Sequence, residues 1–343
     1  MKRLILLPEN ASDQSGYGIA VKADLARLKP GKQDTVIIYS ETAGDYENFE
    51  PLFLKRNKGK KLERLVNVLR LKPASAISAK QLKLLLKKES FDEIICGEFF
   101  FYEPVKALFP DQVLKVRLHN FYTLLKHRQT ILRYSLPAVF RFNLLAYSSL
   151  EHQLLRDPLV EPLFITQEEL AHYQSVYQTA KGEVWSVLES KSMSYNPDLP
   201  LERKLVWFGS ATSHKRYSLD YFIQEVFLPI REDLGLELHL YGSQTASLHA
   251  PEKKIFGHGF FDGEGLPMTR ALYINPDLLG GGIKLKVQTL LEHGAAFIST
   301  AFGVEGYTLP RSEHIIIADI QDWRQVLTDY FSDGVADFVV SGE

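Results

Sequence analysis

Residues 280–300 read GGGIKLKVQTLLEHGAAFIST. Three successive glycines strip the side chains from a stretch of main chain, which opens unusual dihedrals and lets amide groups approach a ligand closely. The residues that follow carry a helical apolar period, so the glycines lie at a helix amino terminus, where N–H groups and the helix dipole favour an anion. Lys284 and Lys286 fall in the first turn, where a cation opposes the dipole unless it serves an anion or points to solvent. A diphosphate would satisfy that combination. A surface loop with solvated lysines fits the same residues, and the stretch matches neither the GxGxxG nor the GxxxxGK[ST] phosphate loop.

Other residues with chemical potential sit at strand ends. Gly16 and Gly18, in DQSGYGIA, follow the first apolar run and open a helix. Backbone amides there can meet phosphate, and a plain strand-to-helix turn reads the same way. His119 ends the strand pattern VLKVRLH, while His214, His258 and Glu305 lie after strands or in glycine-flanked loops. Each of the last three also fits an ordinary polar loop residue. No carboxylate pair is placed together by a motif for glycoside hydrolysis. There is no G-x-S-x-G elbow and no H-E-x-x-H helix, and SGYGIA lacks the third glycine of a nicotinamide-binding fingerprint. The single cysteine, Cys96, lies inside the apolar run DEIICGEFF. It reads as a packed core thiol, excludes an intramolecular disulfide and points to an intracellular compartment.

The elements that must position these residues follow a βα rhythm. RLILLP, DTVIIYS, FDEIICGEFF, VLKVRLH and PLFIT are strand patterns, with helical patterns around 17–29, 78–89 and 167–178. A second series starts after 203: KLVWFGS, a helix over SLDYFIQEVFLPIRED, then LELHLYGS, KKIFGHGFF, ALYINP, the helix after the glycines, AAFIST and EHIIIAD. Near-continuous apolar strands separated by helices imply parallel sheets covered on both faces. The fold expected is α/β with two Rossmann-like domains, 1–197 and 198–343, joined near 195–203 in the proline-containing stretch SKSMSYNPDLPLERK. Their strand ends would face a central cleft, the usual place for a nucleotide-like ligand.

The 343 residues, 45% hydrophobic and 24% charged, are enough for two such domains. No run approaches the roughly 18 apolar residues of a spanning helix, and MKRLILLPEN reads as a buried strand rather than a leader. The net charge of −2 hides an imbalance, since residues 51–150 hold 19 Lys and Arg against 7 Asp and Glu. The densest piece, LKRNKGKKLERLVNVLRLK, suits an anionic membrane surface or a solvated helix face. Zinc spacings and aromatic RNA-binding signatures are missing, which argues against nucleic acid.

INPDLLGGGIKLKVQTLLEHGAAFISTAFGVEGY resembles the signature of family 4 (group 1) glycosyltransferases, and KLVWFGSATSHKRYSLDYFIQEVFLPIR, LELHLYGS and KIFGHGFFDGEGLP fall in the family's order before it. The resemblance covers about 203–320 and is fainter in the amino half. It implies the GT-B architecture, with a nucleotide-sugar donor held by the second domain, a glycan or lipid-linked acceptor held by the first, and no required metal or other cofactor. Gly209, Gly281, Gly282 and Lys286 are then donor-phosphate positions, Lys215 in SHKRYS stabilises the leaving diphosphate, His119 lies beside the donor sugar, and Glu305 belongs to a donor-side loop. Gly16 and Gly18 would add amides from the first domain.

The sequence departs from the family at two glutamates eight positions apart, which here are Gly281 and Thr289. Glu292, about 4.5 Å further along the same helix face, is one substitute for the ribose ligand. Thr289 is another, and a third possibility is a degenerate donor site in a glycan-binding or partner-binding protein. The expectation is a retaining transferase of cell-surface polysaccharide or lipopolysaccharide assembly. It would be cytoplasmic, with peripheral contact at the inner membrane face through residues 51–88.

Overall fold

The structure is a computed structural model that describes residues 1–9, 11, 16–40, 46, 48–54, 77, 79–86, 89–131, 138–186, 202–211, 213–261, 265–268, 270–280, 282–312 and 314–332; for 16–17, 127–131, 138–143 and 213–214 it describes the backbone alone. It divides into two compact units, Met1–Val187 and Leu188–Glu343. The expected hinge near 195–203 falls largely within 187–201, and the core of the basic stretch within 55–76, so both lie outside the described residues.

The first unit is built on a seven-stranded parallel sheet: β1 (Arg3–Leu7), β2 (Thr35–Tyr39), β3 (Leu52–Leu54), β4 (Glu93–Cys96), β5 (Leu114–Arg117), β6 (Val160–Phe164) and β7 (Glu183–Val184). The order is β3-β2-β1-β4-β5-β6-β7. Neighbours pair in parallel, for example Ile5 with Val36 on one side and Ile95 on the other. Side chains alternate along a strand, so Leu4 and Leu6 enter one core with Ile94, Cys96 and Leu114, while Ile5 and Leu7 enter the other with Val21, Ile38 and Ile95. This two-sided burial is why β1 reads as an unbroken apolar run. Each buried aliphatic side chain contributes about 1.5–3 kcal/mol relative to exposure.

Helices α1 (Gly16–Leu28), α2 (Ala79–Leu85), α3 (Tyr102–Lys106), α4 (Tyr122–Ile131), α5 (Ala138–Arg156) and α6 (Gln167–Tyr177) link the strands. The start of α6 is a capping box: Thr166 Oγ1 accepts from the Glu169 amide at 3.1 Å, and Glu169 accepts from the Ile165 amide at 3.2 Å. Strands β3 and β7, at the two edges of the sheet, are too short to give an alternation in the sequence.

The second unit repeats the plan with β8 (Lys204–Phe208), β9 (Glu237–Tyr241), β10 (Ile255–Gly259), β11 (Leu272–Asn275), β12 (Phe297–Ser299) and β13 (Ile315–Ile317), in the order β10-β9-β8-β11-β12-β13, all parallel. Leu205 and Trp207 face one core with Leu238, Leu240 and Ile274; Val206 faces the other with Tyr273, Val287 and Leu290. The helices are α7 (Ser213–Tyr221), α8 (Leu285–Glu292) and α9 (Trp323–Ser332). Helix α7 widens into π-helical Phe222–Phe227 before a last α-turn at Leu228–Ile230. Pro229 has no N–H to return to the Glu225 carbonyl four residues earlier. That carbonyl instead accepts from the Arg324 guanidinium of α9.

Candidate functional site

In an open parallel sheet the strand order reverses at one point, and the loops leaving the two diverging strands open a crevice there. In the second unit that point lies between β8 and β11. The loop after β8 carries Gly209 and leads to Lys215; the loop after β11 carries Asp277, Gly280 and Gly282 and leads to Lys284 and Lys286. The topology of one sheet therefore brings two distant lysine-bearing segments together.

Glycine is needed at these turns for stated reasons. Gly209, at φ +146°, and Gly242, at φ +120°, approach so closely that a Cβ on Gly242 would lie 1.9 Å from the Gly209 carbonyl oxygen. Gly280 and Gly282 take φ +141° and +62°, conformations that side chains resist. Gly281 lies outside the described residues. Helix α8 has no side-chain cap at Lys284, so its first N–H groups lack an intrahelical acceptor, as at any helix start.

The lysines divide into distinct roles. Lys286, in the first turn of α8, places Nζ 3.1 Å from Asp277 Oδ1 and 5.5 Å from the centre of the Trp207 ring. Asp277 is buried. Burial pushes its carboxyl up, but Lys286, Lys215 and Lys284 together outweigh burial and hold it below the usual carboxylate range. Burial draws Lys286 down, with Asp277 acting against that trend and Lys215 with it. Lys284 is the residue just before α8 rather than in its first turn. Its Nζ lies 3.6 Å from the Phe302 ring centre, donates to the Gly282 carbonyl at 3.0 Å and stands 4.0 Å from Glu305. Lys215 is half-buried and makes no hydrogen bond or ion pair with another described residue.

The floor of the site is a polar network. Asn275 donates to Ser299 Oγ at 3.0 Å and to the Gly303 carbonyl at 2.9 Å. Thr300 Oγ1 donates to the Asp277 carbonyl at 2.5 Å, and the Leu278 amide donates to Ser218 Oγ at 3.1 Å. Tyr307 Oη donates to the Lys284 carbonyl at 3.0 Å. Three ammonium groups thus face two carboxylates, Asp277 and Glu305, which leaves a positive surplus beside bare main chain. The arrangement can take an anion.

The remaining expected residues fall elsewhere or in other roles. Glu292 accepts from Gln288 at 2.8 Å one turn earlier on α8, and the Thr289 hydroxyl turns back to the Leu285 carbonyl at 3.5 Å. His258 stacks on Tyr241 at 4.3 Å, and its Nε2 is 3.0 Å from His239 Nδ1 on the β9–β10 side of the sheet. The His214 side chain is among those not described. Asp277, Asn275 and Thr300 went unnoticed in sequence; the one signal was a carboxylate directly after the buried strand in YINPD.

In the first unit the order reverses between β1 and β4. Gly16 opens α1 after β1, with Gly18 buried in the first turn. His119, just past β5, is buried with Nε2 2.9 Å from the Gly97 carbonyl beyond β4. Burial, aided by Arg117, lowers its pKa to about 3, so the ring is neutral. Since a carbonyl only accepts, Nε2 carries the proton. Glu151, buried on α5, anchors the segment after His119 by accepting from the Tyr122 and Thr123 amides at 2.7 and 2.6 Å. A surface cavity of about 420 Å³, lined by His152, Arg156, Tyr177 and Lys181, lies where the chain enters β6 and β7, at the opposite sheet end from His119. Among the described residues no cluster of three His, Cys, Asp or Glu is placed to hold a metal ion, and no helix is long and apolar enough to cross a membrane.

No family model matches the chain, and no curated protein matches it significantly. Solved structures match over nearly its whole length. TarM superposes with TM-score 0.65 at 9% identity, covering 97% of this chain and 92% of that one. Sucrose-phosphate synthase from Thermosynechococcus elongatus gives 0.63 at 12%, covering 98% and 92%. WaaG, a glycosyltransferase involved in lipopolysaccharide biosynthesis, gives 0.57 at 11%, covering 97% and 91%. The fold, two doubly wound α/β units with parallel sheets of seven and six strands, is that of GT-B glycosyltransferase structures. At these identities the likeness establishes fold alone.

Proposed function

We propose that the chain is a nucleotide-sugar-dependent glycosyltransferase with 1–197 as acceptor domain and 198–343 as donor domain. One observation carries the reading: Lys215, Lys284 and Lys286 converge beside a glycine turn and a helix start where the second sheet reverses its strand order. Pre-organised cations and amides stabilise the charge that develops on a departing diphosphate, often the largest catalytic contribution.

In this mechanism the bond between the sugar C1 and the diphosphate oxygen breaks while the acceptor oxygen attacks C1 from the same face. The acceptor proton passes to the departing diphosphate, and configuration is retained. Lys215 and Lys286 offset phosphate charge, while Gly209, Gly281 and Gly282 give amide access. Thr289 or Glu292 holds the ribose, and Glu305 braces the donor side through Lys284. His119, its ring neutral, contacts the donor sugar. The acceptor is a glycan or lipid-linked glycan of cell-surface assembly, the process named for WaaG. The basic stretch within 51–88 brings the enzyme to an anionic membrane on the cytoplasmic side. The chemistry requires no metal or other cofactor, since the lysines and amides supply the positive field.

A thermal-shift panel of UDP, GDP, CMP and dTDP tests the reading. A ligand at 100 times its Kd stabilises the folded state by about 2.7 kcal/mol, so one nucleotide raises Tm selectively. Alanine at both Lys215 and Lys286 abolishes that shift and turnover. Failure of every nucleotide to shift Tm refutes the proposal. It would favour the second reading, a binding protein with a degenerate donor site, which draws on Gly281 and Thr289 in place of the glutamates and on the engagement of Lys286 by Asp277.

A further inference from the structure

The candidate donor site already contains an anion. The Asp277 side chain is 3% exposed, its Oδ1 is 3.1 Å from Lys286 Nζ, and the charges of Lys215 and Lys284 also act on it. Its main chain is held by the Thr300 hydroxyl at the Asp277 carbonyl and by the Leu278 amide on Ser218, so the carboxylate is fixed in place. Lys286 is confined independently: its side chain is 11% exposed and its ammonium lies 5.5 Å from the ring centre of fully buried Trp207. Removing the carboxylate would take one negative charge from the site and leave the lysine confined there, with a bound phosphate taking over from Asp277 in favouring its charged form.

We infer that Asp277 is a resident counter-anion, a positioning residue that shares the Lys286 ammonium with the incoming diphosphate and thereby weakens retention of the product nucleoside diphosphate. The inference rests on the donor-site reading above and adds a control on product release to it. A phosphate oxygen bound to the Lys286 ammonium opposite Asp277, at an ordinary charge-assisted hydrogen-bond length beyond the 3.1 Å to Oδ1, would stand about 6 Å from the carboxylate. Repulsion over that distance, at an effective dielectric constant near 20 and with partial screening, corresponds to roughly a tenfold loss of affinity. Weak retention matters because product release limits turnover in many transferring enzymes.

The test is calorimetric titration of the full chain, wild type and Asp277→Asn, with inorganic pyrophosphate and with UDP at low and high salt. Asp277→Asn is expected to bind both about tenfold more tightly, with most of the gain kept at high salt because the carboxylate and the ammonium are buried. Steady-state turnover should fall relative to a single turnover, and the gain should vanish when Lys286→Met is added. A merely structural carboxylate would give equal or weaker binding, and that result in a folded variant overturns the inference. Asp277→Ser, which leaves room for water beside the ammonium, serves if the asparagine variant does not fold; if neither folds, Asp277 is structural and the inference falls. Tighter pyrophosphate binding by Asp277→Asn with no nucleotide bound by either protein keeps the counter-anion role of Asp277 and removes the donor reading together with the control on product release. UDP binding without the gain does the reverse, and a wild type that binds neither ligand removes both.

Discussion

The contact between Gly242 and Gly209 permits a quantitative test of how the turns after β8 and β9 are built. A Cβ on Gly242 would stand 1.9 Å from the Gly209 carbonyl oxygen, whereas contacts under 3.0 Å are essentially never seen, so the two turns must part by at least 1.1 Å. Parting strains the bonds from the Gly209 amide to Tyr241 (2.9 Å) and from the Ala211 amide to Ser243 (3.0 Å). Overpacking of this kind costs about 1–3 kcal/mol, the positive φ about 1–2, and each weakened hydrogen bond about 1. Gly242→Ala should therefore lose about 4–7 kcal/mol. Gly235→Ala is the control: its φ is +64°, but the nearest atom to a new Cβ is Arg203 Cδ at 3.7 Å, so only the dihedral penalty of about 1–2 kcal/mol applies. With urea slopes of about 1–3 kcal/mol/M, the remaining difference of about 3–5 kcal/mol should separate the two variants' midpoints by about 1–5 M. The readout is intrinsic fluorescence, in which Trp207 and Trp323 report the second unit and Trp185 the first, scored on the second unit's transition because two units need not unfold together. Equal midpoints, or a milder effect at Gly242, would refute the steric argument.

In the first unit, buried Arg117 donates to the Phe164 carbonyl at 3.1 Å and stands 3.5 Å from Asp24, also buried. Arg117→Met should cost about 3–5 kcal/mol by stranding a buried carboxylate, while Arg117→Met with Asp24→Leu should recover most of that loss; denaturant titration of the three proteins decides it, and a double variant as weak as the single one would contradict the account. His119 sets a pH dependence. Its unfolded pKa is 6.5 and its folded value about 3, so the unfolded chain takes up a proton that the folded one refuses. The stabilisation it provides is complete above pH 6.5 and is lost as pH falls toward 3, by up to about 1.36 kcal/mol per pH unit. His119→Asn should remove that component from the pH profile of the urea midpoint; an unchanged profile would show that the ring is not buried neutral.

Much of the architecture is legible in the sequence because parallel strands buried on both faces leave unbroken runs such as RLILL and TVIIY. The edge strands β3 and β7, of three and two residues, leave no such trace. The lysines and glycines after β11 are legible as anion-binding chemistry, since bare main chain and a helix start carry that meaning locally. Their partner is not. Nothing about the aspartate in YINPD distinguishes it from a surface carboxylate until the fold buries it against Lys286. Long-range pairs such as Arg117 with Asp24 are hidden for the same reason: the charges lie 93 positions apart and meet only through packing. His258, plausible by its glycine-flanked loop, is committed instead to an aromatic stack with Tyr241 and His239.

Cys96, the only cysteine, is fully buried on β4 with its thiol held protonated by its surroundings. Only the thiolate attacks an electrophile, so maleimide reagents will pass the native protein by. Any cysteine introduced at the surface, one in each unit, becomes a clean attachment point for a fluorophore pair without first removing a native residue.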